Sequence, residues 1–117
     1  MLIGIPGIDE ETFKDLLDGN KELFISLVNS FVNKTPSTIS KLTPISKETL
    51  PEYAKNIHGL KGACANICAQ EAKKMAFNLE QKSKTGDLDG VLTENEKFLK
   101  YMEELIGNLE KWLKNHQ

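Results

Sequence analysis

Apolar positions recur at spacings of three and four along almost the whole chain, and strand-like alternation is nearly absent, which predicts an all-α protein. After a short lead-in, Asp9 can cap a first helix that presents Phe13, Leu16 and Leu17 and closes at Asp18-Gly19. Asn20 caps a second, with Phe24, Leu27, Val28, Phe31 and Val32 as its stripe. Thr35-Pro36 then either kinks that helix or starts a new one bearing Ile39 and Leu42, and Pro44 and Ser46 mark a turn. Thr49-Leu50-Pro51-Glu52 matches a capping box, so a third helix begins there and ends near Ile67. Ala72, Met75, Ala76, Leu79 and Ser83 describe a narrow-faced helix closed by Thr85-Gly86-Asp87. The last helix starts near Asp89 and shows Leu92, Leu99, Met102, Leu105, Ile106, Leu109, Trp112 and Leu113. Four helices of about 15 to 26 residues joined by short turns predict an antiparallel four-helix bundle over roughly residues 20–115, with the short N-terminal helix as a lid.

One segment departs from this regularity. In His58-Gly59-Leu60-Lys61-Gly62, at about 100° per residue, Lys61 and Gly62 fall within roughly 60° of His58, and Ala65 lies one heptad along. Ile57, Leu60, Cys64 and Ile67 form the opposite stripe and can anchor the helix in a core. A histidine on a helix is by itself an ordinary boundary residue. Here an ammonium stands beside the imidazole, and Gly59, Gly62 and Ala65 stand where a solvent face would carry Glu, Lys and Gln. Two glycines inside a helix cost about 1 kcal/mol each relative to alanine, so the flat surface has a purpose: a landing pad for another protein.

Composition narrows the partners. At 117 residues the chain makes a single domain, 1–117, that can bury a core without staples, and 39% hydrophobic with 27% charged residues suits a helical protein. A formal net charge of −2 with interspersed signs gives no case for nucleic acid. No run approaches the roughly 20 apolar residues of a membrane span, and Met1-Leu2-Ile3-Gly4-Ile5 lacks the basic region of a secretory signal. The two cysteines, Cys64 and Cys68, are four apart and form no disulfide framework, which points to a reducing cytoplasm. They supply half of a zinc site at most. His58 lies on the wrong face, His116 sits in a polar tail, and the reading is two buried small side chains with no metal. Glu94-Asn95-Glu96-Lys97 and residues 111–115 read as solvated faces. Nothing requires more than a monomer.

His58-Gly59-Leu60-Lys61-Gly62 followed by Ala63-Cys64-Ala65-Asn66-Ile67 resembles the H-x-L-K-G-x-x-x-x-I signature of histidine-containing phosphotransfer domains. Ile5-Pro6-Gly7-Ile8-Asp9 with Gly19-Asn20-Lys21-Glu22-Leu23-Phe24 resembles the family's usual opening. Leu79-Glu80 resembles the L-E pair found one helix after the histidine motif. The chain departs from the pattern at Cys68, where the family often has glycine, and at Cys64, where Ser, Ala or Gly is commoner.

The resemblance implies a phosphocarrier with His58 as phosphoacceptor. Neutral imidazole is both a competent attacking group and a competent leaving group near pH 7. Its Nε2 must be unprotonated, with the other ring proton held on Nδ1, and the resemblance assigns the orienting carboxylate to Glu80. Lys61, one turn after His58, can stabilise charge on phosphoryl oxygens, and Gly62 keeps open the space over the ring. Receiver docking is expected on Ala54, Lys55, Gly59, Gly62, Ala65 and Ala69. The expected cycle takes phosphate from a response-regulator receiver aspartate and passes it to a second receiver in a phosphorelay fed by a histidine kinase or hybrid kinase. No cofactor is expected on this chain, since the Mg²⁺ belongs to the partner receiver domain. No Gly-rich nucleotide loop accompanies the motif, so the chain is a carrier and not an enzyme with a kinase site. Two alternatives stay open: a docking module that carries no phosphate, and the phosphoacceptor domain of a chemotaxis-type kinase.

Overall fold

The computed structural model describes residues 4–116; Met1, Leu2 and Ile3 of the lead-in and Gln117 lie outside the described residues. Among the described residues the chain is all helical, with α1 over Glu10–Leu17, α2 over Lys21–Ser40, α3 over Leu50–Asn66, α4 over Gln70–Lys84 and α5 over Leu88–His116. The Asp9 carboxylate accepts the Glu11 and Thr12 amides at 3.0 and 3.2 Å, and Asn20 Oδ1 accepts the Leu23 amide at 3.0 Å. Both predicted N-caps therefore form.

Several boundaries differ from the pattern reading, each for a local reason. Leu16 is 64% exposed because an eight-residue helix resting on α2 covers one narrow stripe, which Phe13 occupies. Thr35-Pro36 opens no new helix; α2 runs on to Ser40 with Pro36 exposed inside it. The capping box at Thr49 does not form. Its hydroxyl instead accepts the Ser46 amide at 2.8 Å and donates to the Pro44 carbonyl at 3.0 Å, so it serves the preceding turn. In the first half of α5 the buried stripe is Val91, Asn95 and Phe98, and Leu92 is 43% exposed.

Helices α3 and α5 each pack on both α2 and α4, closing a ring, while α1 lies on α2. The core inside it includes Phe24, Val28, Phe31, Ile57, Leu60, Leu79, Phe98, Met102 and Leu109. At one end Phe24 meets Phe13 and Trp112 edge-on, with ring centroids 5.2 and 5.4 Å apart, tying α1, α2 and α5 together. Elsewhere a polar contact crosses the core. Tyr53 donates to Asn95 Oδ1 at 2.7 Å with both residues buried, so the solvated reading of Asn95 is corrected. Tyr53→Phe keeps the ring but strands that amide oxygen, and should lower the unfolding free energy by about 1–3 kcal/mol in a urea titration.

The turns bounding α4 hold the functional region in register. Its C-terminus ends in a Schellman motif: Asp87 N–H donates to the Lys82 carbonyl at 2.9 Å and Gly86 takes φ 78°. The α3–α4 turn has the same form with a cysteine at the left-handed position. Ala69 N–H donates to the Cys64 carbonyl at 2.9 Å, Cys68 N–H to the Ala65 carbonyl at 3.1 Å, and Cys68 sits at φ 64°. A left-handed non-glycine residue costs roughly 1–2 kcal/mol. Cys68 is completely buried, and its carbonyl accepts the Asp9 amide at 2.9 Å, so packing and the α1 approach hold the turn. Burial pushes both thiols up, Cys64 to about 12, which keeps them protonated.

Candidate functional site

Helix α3 is buried on Tyr53, Ile57, Leu60 and Cys64, a stripe that turns His58 outward, with its side chain 67% exposed. Helix α4 packs against α3 and buries Ala72, Ala76 and Leu79. Glu80, next to Leu79, is thereby carried into the seam and is only 2% exposed. It sits directly behind the imidazole.

Glu80 is the centre of the cluster. Its Oε2 lies 2.9 Å from His58 Nδ1 and 3.0 Å from Lys84 Nζ, and its Oε1 accepts from Lys61 Nζ at 2.7 Å. Hydrogen bonding from Lys61 is the largest cause holding its carboxyl far below the usual range, at about 2; Lys84 and His58 add to it against the opposing effect of burial. Glu80 is therefore an anion at any physiological pH and can only accept hydrogen bonds. Nδ1 of His58 must then be the donor, which leaves the lone pair of the neutral ring on Nε2. An exposed imidazole in this tautomer is a nucleophile.

Lys61 shares the Glu80 carboxylate with His58. Its ammonium is bound to Glu80 and lies 5.5 Å from the centroid of the Phe77 ring, with the side chain 23% exposed. Lys84 is the residue the sequence reading missed. The i,i+4 spacing of Glu80 and Lys84 on one helix was the available signal, since such pairs face each other.

The surface around His58 is bare as expected, with one correction. Lys55, Gly59 and Gly62 are exposed, and Ala54 and Ala65 half-buried. Ala69 is completely buried, because it occupies the inside of the α3–α4 turn, and it leaves the accessible surface. A Cβ built on Gly59 or Gly62 would meet nothing within 4 Å. Packing within this chain gives no reason for either glycine. Among the described residues no group of three or more His, Cys, Asp or Glu side chains could hold a metal ion, and no helix is long and apolar enough to cross a membrane.

The family model described as Hpt domain matches residues 26–112, which takes in most of α2, all of α3 and α4 and nearly all of α5. No curated protein and no solved structure matches the chain. Hpt domains are helical bundles that interact with receiver domains and kinases in two-component systems. With its outward histidine, adjoining lysine and covering match, the chain belongs to the Hpt domain family, whose members are histidine phosphocarriers in two-component signalling rather than kinases.

Proposed function

We propose that this chain is a phosphorelay intermediate: His58 accepts a phosphoryl group from the aspartyl phosphate of one receiver domain and passes it to a second. The observation that carries the reading is the 2.9 Å contact between Nδ1 of an exposed His58 and a buried Glu80 that is ionised at neutral pH. In the forward step the Nε2 lone pair attacks phosphorus, and the phosphorus–oxygen bond electrons leave with the aspartate carboxylate. The ring keeps its Nδ1 proton throughout, and the positive charge it gains is balanced by Glu80 beside it. The reverse step returns the lone pair to Nε2. Mg²⁺ enters with the receiver, and this chain supplies no cofactor of its own.

The wider reading follows from the same elements. The ring of α2 to α5 is an antiparallel four-helix bundle with α1 as its lid, a single domain that works as a cytoplasmic monomer. The docking surface comprises Ala54, Lys55, Gly59, Gly62 and Ala65 around His58. Glycine at position 62 costs the helix stability for no internal packing gain, which favours an external partner. Gly62→Gln should therefore move two readouts in opposite directions. Thermal unfolding should show a variant more stable by roughly 0.5–1 kcal/mol, while transfer from a receiver slows at least tenfold.

The test of the function is incubation with a panel of phosphorylated receivers. The expected result is an acid-labile, base-stable label on this chain, transferable to a second receiver. Tight receiver binding without label would establish a docking module instead. Labelling by a kinase domain and by no receiver would place the chain as the acceptor of a chemotaxis-type kinase.

A further inference from the structure

The Glu80 cluster carries one more positive charge than the carboxylate balances. Lys61 and Lys84 contribute two cations to one anion, and His58 meets the same carboxylate through Nδ1. Phosphoryl transfer adds one net negative charge to the cluster: the group arrives as a dianion on nitrogen while the ring becomes cationic. The excess charge is thus the charge that the acceptor state needs.

The two lysines are not equally free to supply it. Lys61 holds Oε1 at 2.7 Å, lies near the Phe77 ring and is 23% exposed. Lys84 shares Oε2 with the imidazole, is 58% exposed, and stands at the last residue of α4. It borders an open groove whose walls include Leu50, Pro51, Ala54 and Ser83, so its ammonium has space in which to move. Because Lys84 Nζ and His58 Nδ1 touch the same oxygen at 3.0 and 2.9 Å, they lie within 5.9 Å of each other. A four-carbon stem covers the further step to the other side of the ring by rotamer changes.

We propose that Lys84 is the phosphoryl-binding cation of this site, leaving Glu80 Oε2 for the phosphoryl oxygens once the group is on His58. This rests on His58 being the acceptor. Lys61 stays on Glu80 as a positioning residue. Removing Lys84 affects the phosphorylated state more than the free state, because Lys61 still neutralises Glu80. The departure of Lys84 also leaves Oε2 to the Nδ1 proton alone, at the moment the ring becomes cationic.

The experiment charges the wild type, Lys84→Gln, Lys84→Arg and Lys111→Gln from one radiolabelled receiver and reads the equilibrium division of label. Lys111 is an exposed lysine on α5 outside the cluster and controls for net charge. Lys84→Gln should shift label toward the receiver about three- to tenfold, as expected for one partly exposed charge-assisted contact. Lys84→Arg should restore the wild-type division, and added salt should move the wild type more than Lys84→Gln. Far-UV circular dichroism should superimpose for all four proteins. A Lys84→Gln division equal to that of the wild type, or an equal shift in Lys111→Gln, overturns the assignment while leaving His58 as carrier. Absence of label on the wild type overturns both.

Discussion

His58→Gln should take up no phosphoryl group from any receiver, while unfolding within about 0.5 kcal/mol of the wild type. The structure gives both halves of this expectation. The side chain is 67% exposed and its buried partner, Glu80, keeps two lysines, so the fold loses little. Glutamine is also a good helix former. Its amide nitrogen has no available lone pair, since resonance with the carbonyl delocalises it, so the nucleophile is gone. The chain has one other histidine. His116 stacks on Trp112 with centroids 4.3 Å apart and donates through Nδ1 to the Trp112 carbonyl at 2.8 Å. Phosphoamino-acid analysis after charging decides the matter: histidine-bound label on His58→Gln would refute the acceptor assignment.

Glu80→Gln should have the largest combined effect on stability and transfer. The substitution preserves shape and discards the charge that two ammonium groups and the Nδ1 proton share. Folding lowers this carboxyl from 4.5 to about 2, so the unfolded chain takes up the proton more readily. The stabilisation is complete above 4.5, shrinks as pH falls, and is gone below about 2. Its full size is on the order of 3 kcal/mol at neutral pH. Urea unfolding from pH 7 down to pH 2 should show the wild type well above Glu80→Gln at neutrality, with the two converging in acid. Parallel curves would mean that the lysines do not hold the carboxylate in solution. Charging of His58 should slow on the order of ten- to a hundredfold, because the ring loses the anion that fixes its tautomer and balances its developing charge.

Helical periodicity showed the all-helical character, the caps at Asp9 and Asn20, and the close of α4 at Gly86, because each depends on residues within one or two turns. It also showed which side of α3 faces out, since Ile57, Leu60 and Cys64 are a stripe that only a core can satisfy. Phase was less legible in α5. Leu92 looks like a core residue, yet the bundle buries Val91 and Asn95, and Asn95 is tolerated there only because Tyr53 reaches it. Thr49 failed as a cap because its hydroxyl oxygen accepts the Ser46 amide of the preceding turn in place of a first-turn amide of α3.

What the sequence determined by itself is the nucleophile and its bare surroundings: His58, with Gly59 and Gly62 beside it on an amphipathic helix, follows from a period of 3.6 alone. The electrostatics were decided by the tertiary structure. Only the packing of α4 on α3 puts Glu80 into the seam behind the ring, binds Lys61 there, and adds Lys84 to the same carboxylate. Only the tight turn at Cys68 takes Ala69 off the surface. The physical reason is range: caps, turns and faces depend on neighbours along the chain, while charge pairing and burial depend on which residues the fold brings within a few ångströms.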